Sequence, residues 1–235
     1  MSKFRFKEFS IQQDVNTHKV GTDAMLLGAY IDASKQSLGL DIGSGTGVLS
    51  LMLAQRNPSI QITCIEIDEK SSGECTNNVN NSPWFNRIET IHADFTQYDF
   101  QQNFDLIFTN PPYYFTDNSS NDATMRTKHI TLTKIEEWFC KIASLLLPEG
   151  VVWMIWPSES SKTIIEIASA HKLFVLTKIN LYSKANILSR TILCFSFQEN
   201  KAVNDEQLII RNHDNSYSDA YRSLTSDFHF KEFTP

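Results

Sequence analysis

The sequence predicts an α/β protein built on a mostly parallel sheet of seven strands, with helices on both faces and an antiparallel pair at one end. Three observations carry this. Strand-length apolar runs alternate with segments of helical spacing. The runs are apolar on both sides, as strands covered on both faces must be. Four of the eight glycines (Gly39, Gly43, Gly45 and Gly47) fall within nine residues, three of them at one strand-to-helix turn.

The elements follow in chain order. Phe4–Gln12 alternates and is aromatic, which reads as a strand, and Thr22–Ala33 has helical spacing; both stand ahead of the core. The core strands are Leu38–Ile42, Ile60–Ile67, Ile88–His92, Phe104–Thr109, Val151–Trp156, Phe174–Asn180 and Thr191–Phe197. Between them lie the helices Val48–Gln55, Glu69–Asn80, Thr133–Leu147 and Ser160–His171. The interval from Asn180 to Ser189 is too short for a crossover helix, so the last two strands pair antiparallel. The reading is one domain: an N-terminal extension over 1–36, a core over 37–200 and a C-terminal extension over 201–235. The stretch Lys201–Glu206 and the tail after Phe228 receive no role.

Composition narrows the class. With 41% apolar and 20% charged residues the chain is globular rather than disordered or fibrous. Its net charge of −6 argues against nucleic-acid binding by global charge but leaves local basic patches open. Cys64, Cys75, Cys140 and Cys194 are far apart and lack zinc spacing, so they read as buried, reduced thiols, and no metal is expected. Neither a secretory signal nor a membrane-length apolar run is present, which predicts a soluble, cytoplasmic protein without an obligate protein partner.

The chemistry is concentrated at two places. After Leu38–Ile42 comes Gly43-Ser44-Gly45-Thr46-Gly47, which opens a helix. Glycines there let the backbone turn sharply and bring N–H groups close to a ligand. Asp41, just ahead of the loop, suits a ligand with a cationic end. Glu66, nineteen residues after Gly47, can accept from both hydroxyls of a ribose, with Asp68 as the alternative. This constellation resembles the first motif of the class I S-adenosylmethionine-dependent methyltransferases. The resemblance implies a Rossmann-like fold, S-adenosyl-L-methionine as cofactor, S-adenosyl-L-homocysteine as product, and Asp94 as the adenine contact.

The second place is Asn110-Pro111-Pro112-Tyr113, at the end of Phe104–Thr109. Two prolines fix the backbone and remove two N–H donors, so carbonyls near Asn110 and Pro111 face outward as acceptors. With the Asn110 side-chain carbonyl they can take both hydrogens of one planar –NH2 group, and Tyr113 can stack on the ring or amide that carries it. Such acceptors favour a tetrahedral nitrogen with a localised lone pair, which methylation of a conjugated amine requires. The motif resembles the signature of N6-adenine and glutamine-N5 methyltransferases.

Further stretches sharpen the resemblance: Lys19-Val20-Gly21-Thr22-Asp23-Ala24-Met25-Leu26-Leu27-Gly28-Ala29, Asn81-Ser82-Pro83-Trp84, the doubled Tyr113-Tyr114, Leu208-Ile209-Ile210-Arg211 and Tyr217-Ser218-Asp219-Ala220-Tyr221. From about Phe4 to Phe228 the chain is similar to the tRNA1(Val) (adenine(37)-N6)-methyltransferase family. The family implies N6-methylation of the adenine beside the anticodon, with tRNA as partner. Lys3-Phe4-Arg5-Phe6-Lys7 interleaves cations with aromatics that suit phosphates and unstacked bases, or forms an amphipathic strand with a wet face. Arg126 and Lys128 stand after Tyr114, to grip phosphates or to line a solvated loop. His92 and His129 read as structural. Four alternatives stay open: a glutamine-N5 protein methyltransferase, an N6-adenine methyltransferase of another RNA or of DNA, a non-catalytic cofactor-binding module and a nicotinamide oxidoreductase. Asn110–Tyr113 argues against the last two.

Overall fold

A computed structural model describes residues 2–13, 20–111, 114–115, 129–199 and 202–229. The strands are β1 (Ser2–Arg5), β2 (Ser10–Gln13), β3 (Leu38–Ile42), β4 (Gln61–Glu66), β5 (Ile88–His92), β6 (Phe104–Thr109), β7 (Tyr114–Phe115), β8 (His129–Ile130), β9 (Leu146–Pro157), β10 (Phe174–Lys184), β11 (Ile187–Ser196) and β12 (Asn204–Ile209). The helices are α1 (Thr22–Tyr30), α2 (Val48–Arg56), α3 (Glu69–Asn80), α4 (Leu132–Leu145), α5 (Ser161–Ala170) and α6 (Asp219–Thr225).

The main sheet has the order β12-β10-β11-β9-β6-β3-β4-β5. It has eight strands rather than the expected seven. The additional one, β12, pairs parallel to β10 with Thr177 opposite Asn204 and Tyr182 opposite Ile209. It is an edge strand whose residues are exposed except Leu208, so it carries no apolar run to announce it. The antiparallel pairing is as the short Asn180–Ser189 interval requires. β11 runs against both β10 and β9, and every other neighbouring pair in the sheet is parallel.

Alternation along each strand divides the core between two faces. Leu106, Phe108, Trp153 and Ile155 point toward α1, α2 and the N-terminal strands. Leu40, Ile107, Val152, Met154 and Trp156 point toward α4 and α5. The helices supply matching apolar faces, such as Ile135, Phe139, Ile142 and Leu145 of α4. The same helical period puts Cys140 outward, so it is exposed, while Cys64, Cys75 and Cys194 are buried as expected.

The N-terminal strand expected over Phe4–Gln12 is a hairpin of two strands. The chain reverses because the Phe6 amide donates to the Phe9 carbonyl at 2.9 Å and the two rings stack at 4.2 Å. Phe9 also meets Trp84 edge-on, and Phe6 is bridged to His229, so the N-terminal hairpin and the segment after α6 close over one face of the sheet.

One side chain ties this hairpin to the glycine loop. Asn78 of α3 is buried; its amide accepts from the Gln12 N–H (2.8 Å) and donates to the carbonyls of Gln12 and Thr46 (3.0 Å each). Asn78→Ala strands three backbone groups at once. It is expected to lower the unfolding free energy by about 2–3 kcal/mol, seen as a lower urea midpoint at unchanged slope. An unchanged midpoint would show that hairpin and loop hold without this amide.

Candidate functional site

The site stands at one edge of the sheet because the strands that build it are parallel. β3 has β4 on one side and β6 on the other, and the chain visits β4 and β5 before it crosses back to β6. The gap between the carboxyl ends of β3 and β6 is therefore a topological switch point, where open α/β sheets bind ligands. Ile42 faces Ile65 and Thr109 in register, and Glu66 faces His92. The segments starting at Gly43, Glu66 and Asn110 thus leave the sheet side by side, and Asp94 follows two residues beyond His92. The buried Thr109 hydroxyl donates to the Ile42 carbonyl at 2.8 Å and locks β6 to β3 at that point.

The glycine loop has the backbone that its composition requires. Gly43, Gly45 and Gly47 have φ of +67°, +54° and +79°, which L side chains rarely adopt. Around Gly43 and Gly45 a Cβ would meet only open space, whereas at Gly47 it would come within 2.8 Å of the Cys75 sulfur. Two of the glycines keep a surface clear and the third admits α3.

Glu66 holds the loop to the next strand. One carboxylate oxygen accepts the Gly45 N–H and the other the Asp68 N–H, both at 2.9 Å. A carboxylate offers about four acceptor positions, so each oxygen keeps one for a ligand hydroxyl. Asp68 is committed elsewhere: it caps α3, accepting the Ser71 N–H (2.8 Å) and hydroxyl (2.9 Å) on one oxygen. The Ser71 amide bond, against slight burial, holds its carboxyl below the usual carboxylate range. Of the two acids left open by sequence, the geometry favours Glu66.

Asp41 lies at 1% exposure beneath the loop. The Ser50 hydroxyl donates to one of its oxygens at 2.7 Å, while the other is buried without a partner. Burial pushes its carboxyl up to about 7; the Ser50 bond pulls down and the Glu66 charge adds to the rise. At the far end, Asp94 accepts the Thr96 N–H (2.8 Å) and hydroxyl (2.7 Å), and Lys134 of α4 donates to its other oxygen at 3.2 Å. Burial opposes the charge, but the Thr96 and Lys134 bonds outweigh it and hold the carboxyl below the usual range.

On the other side of the switch point, Asn110 is half-buried and Pro111 buried. Pro112, Tyr113, Arg126 and Lys128 lie outside the described residues, as do the side chains of Tyr114 and His129. The ring of His92 contacts the Ile67 carbonyl at 3.2 Å, in keeping with a structural role. Lys3, Arg5 and Lys7 are exposed on the hairpin. Phe6 is in the core and Phe4 packs against it, so these aromatics are unavailable for stacking on bases. Of the two readings of this stretch, the amphipathic strand describes the rings, and only the cations face outward.

The whole chain can now be set beside known proteins. Over 97% of its length it is 37% identical to the tRNA1(Val) (adenine(37)-N6)-methyltransferase of Flavobacteriaceae bacterium (strain 3519-10), of which it covers 99%. The chain belongs to the tRNA1(Val) (adenine(37)-N6)-methyltransferase family. A relative of the same name in Haemophilus influenzae is 35% identical, with 98% of this chain and 100% of that protein covered. Residues 16–166 match the methyltransferase small domain family. Among solved structures, a "predicted O-methyltransferase" from Agrobacterium tumefaciens superposes with a TM-score of 0.71 at 17% identity, covering 88% of this chain and 96% of that one. A methyltransferase from Pyrococcus furiosus gives 0.60 at 17%, covering 81% and 90%. At these identities the two structures speak for the fold: the class I methyltransferase Rossmann-like fold. Among the described residues no helix is long and apolar enough to cross a membrane.

Sequence reasoning missed three contributors. Lys134 reaches Asp94 from 40 positions away, and Asn78 looks like any polar residue of α3. Ile67, 63% exposed directly after Glu66, is an apolar side chain kept at the site edge; its position next to Glu66 was the available signal.

The unpartnered Asp41 oxygen generates a pH prediction. A ligand that places an ammonium on this oxygen would need the carboxylate, so, with S-adenosyl-L-homocysteine as the probe, affinity should be level above about pH 7 and fall toward tenfold per pH unit below it. In the ligand-free chain the raised value acts oppositely. It contributes stability below the unfolded carboxyl's pKa of about 3.9, and that contribution is lost as pH rises through about 7. Calorimetry between pH 5 and 8 on wild type and Asp41→Asn checks this; a sloping profile in both proteins would assign the titration to another group.

Proposed function

We infer that the chain methylates N6 of adenine 37 in tRNA1(Val), using S-adenosyl-L-methionine. The observation that carries this is the end-to-end similarity to relatives of that name, joined to an Asn110-Pro111 turn at the switch point beside a glycine loop. The residues present fit the cofactor. The buried, unpartnered oxygen of Asp41 suits its ammonium end, Glu66 its ribose, and Asp94 its adenine. Gly43, Ser44, Gly45 and Gly47 keep backbone close to the ligand. S-adenosyl-L-methionine supplies the methyl group and leaves as S-adenosyl-L-homocysteine.

The chain's own work is alignment and hydrogen bonding. Asn110 and the carbonyls at Asn110–Pro111 accept both hydrogens of the adenine amine and draw its lone pair out of conjugation. The sequence Pro111-Pro112 removes two N–H donors beside these acceptors, and Tyr113 supplies a ring that can stack on the base. No strong base is needed beforehand, because the proton departs to water once the nitrogen is alkylated. The target base must leave its stack, which costs less in an anticodon loop than in a duplex. Lys3, Arg5 and Lys7 form the exposed cationic row for phosphates, with Arg126 and Lys128 as further candidates.

The direct test is methyl transfer from labelled S-adenosyl-L-methionine to bulk tRNA and, in parallel, to a release-factor protein, with nucleosides analysed by mass spectrometry. N6-methyladenosine in tRNA is the expected product; label on a protein glutamine would replace this reading with amide methylation. Glu66→Ala should weaken S-adenosyl-L-homocysteine roughly 10- to 150-fold by calorimetry, through loss of charge-assisted hydrogen bonds. Asn110→Ala should lower turnover on the order of 10²–10³ while cofactor affinity stays put; near-normal turnover would reduce the motif to a structural turn. Replacing Lys3, Arg5 and Lys7 by alanine should raise the Michaelis constant for tRNA and reduce the salt slope by about one unit per lost phosphate contact. An unchanged slope over a salt series would remove the hairpin from the RNA surface.

A further inference from the structure

We propose that Lys134 is a positioning residue for adenine recognition: it holds the Asp94 carboxylate in the orientation that leaves one acceptor free for the amino group of the cofactor's adenine. This rests on the reading of Asp94 as the adenine contact.

Asp94, Thr96 and Lys134 form a closed ring of hydrogen bonds. The Thr96 N–H and hydroxyl both donate to one Asp94 oxygen, at 2.8 and 2.7 Å. Lys134 Nζ donates to the other oxygen at 3.2 Å and to the Thr96 hydroxyl oxygen at 3.1 Å. With about four acceptor positions on a carboxylate, three are taken and one remains, on the oxygen that Lys134 touches. The lysine thereby fixes the carboxylate's rotation and keeps it an acceptor only. An amine that donates can then be read there, and a carbonyl in the same place meets repulsion.

The loop backbone has its own support. Lys141, two turns further along α4, donates to the carbonyls of Thr96 (3.2 Å) and Tyr98 (2.5 Å) and lies near the rings of Phe95 and Phe100. The Asp94 carbonyl accepts the N–H groups of Gln97 and Tyr98, both at 3.0 Å. Lys134 itself is placed by the start of α4, where Thr131 caps the Lys134 N–H at 3.2 Å. Removing the Lys134 ammonium therefore frees the Asp94 oxygen that it touches, while Thr96 still holds the other oxygen and the loop stays in place.

The test is calorimetry with two probes, S-adenosyl-L-homocysteine and S-inosyl-L-homocysteine, which differ at C6, an amino group against a carbonyl, and at N1, a bare acceptor against an N–H. Wild type, Lys134→Met, Lys134→Arg and Asp94→Ala are compared, with their urea midpoints. Lys134→Met should weaken the adenosyl ligand about tenfold, leave the inosyl ligand unchanged, and be rescued by Lys134→Arg to within about threefold. Asp94→Ala should abolish the preference for the adenosyl ligand. Equal weakening of both ligands, or no weakening by Lys134→Met, would overturn the proposal, as would a preference that survives Asp94→Ala. Failure of the unmutated chain to bind either ligand would instead refute the cofactor reading on which the proposal stands.

Discussion

The structure depends on the parallel pairing of β3 with β6, two strands adjacent in space and far apart in sequence. Both strands are buried on both faces, and the Thr109 hydroxyl donates to the Ile42 carbonyl where they end. Two of the segments that build the candidate site start from that joint: the glycine loop leaves one strand and Asn110-Pro111 leaves the other. The sheet's right-to-left reversal at this point opens the crevice between them, so neither segment needs a long excursion to reach the other. A site placed on strand ends inherits the positional precision of the core.

Around that joint the carboxylates divide the work according to their surroundings. Glu66 spends one acceptor on each side, Gly45 and Asp68, and so couples the glycine loop to the start of α3. Asp41 is deeply buried beside one hydroxyl and titrates near neutrality, while Asp94 is kept ionised by Thr96 and Lys134. Asp68 closes a helix instead. Four acids within one stretch of sheet edge thus have four different roles, set by burial and by donor supply rather than by residue type.

Much of this was legible in the sequence because the informative residues act locally. β3, β5, β6 and α3 have the bounds that their apolar runs and caps give: β3 and β6 are buried strands, α3 is capped by Asp68, and β5 is an edge strand short enough for its run to mark both ends. The cluster of glycines reports its own left-handed backbone. What escaped was set by tertiary context. β12 is an edge strand of Asn, Asp, Glu and Gln that pairs through its backbone, with Asn180 donating to Asp205. The N-terminal hairpin reads as one aromatic strand because Phe6 and Phe9 are both buried, stacked on each other, and only the three-residue step between them marks the turn. Lys134 and Asn78 are long-range hydrogen-bond partners, and no periodicity marks such residues.

On the proposed function, one sheet edge holds the cofactor with its sulfonium facing the Asn110 acceptors. The decisive measurement is a crystal structure of the chain with S-adenosyl-L-homocysteine. The ribose hydroxyls are expected on Glu66, the adenine amino group on Asp94, the ammonium toward Asp41, and the sulfur facing Asn110. Ligand bound elsewhere, for example in the groove lined by Ile165, Leu173, Phe174 and Asp205, would contradict it, as would a sulfur turned away from Asn110.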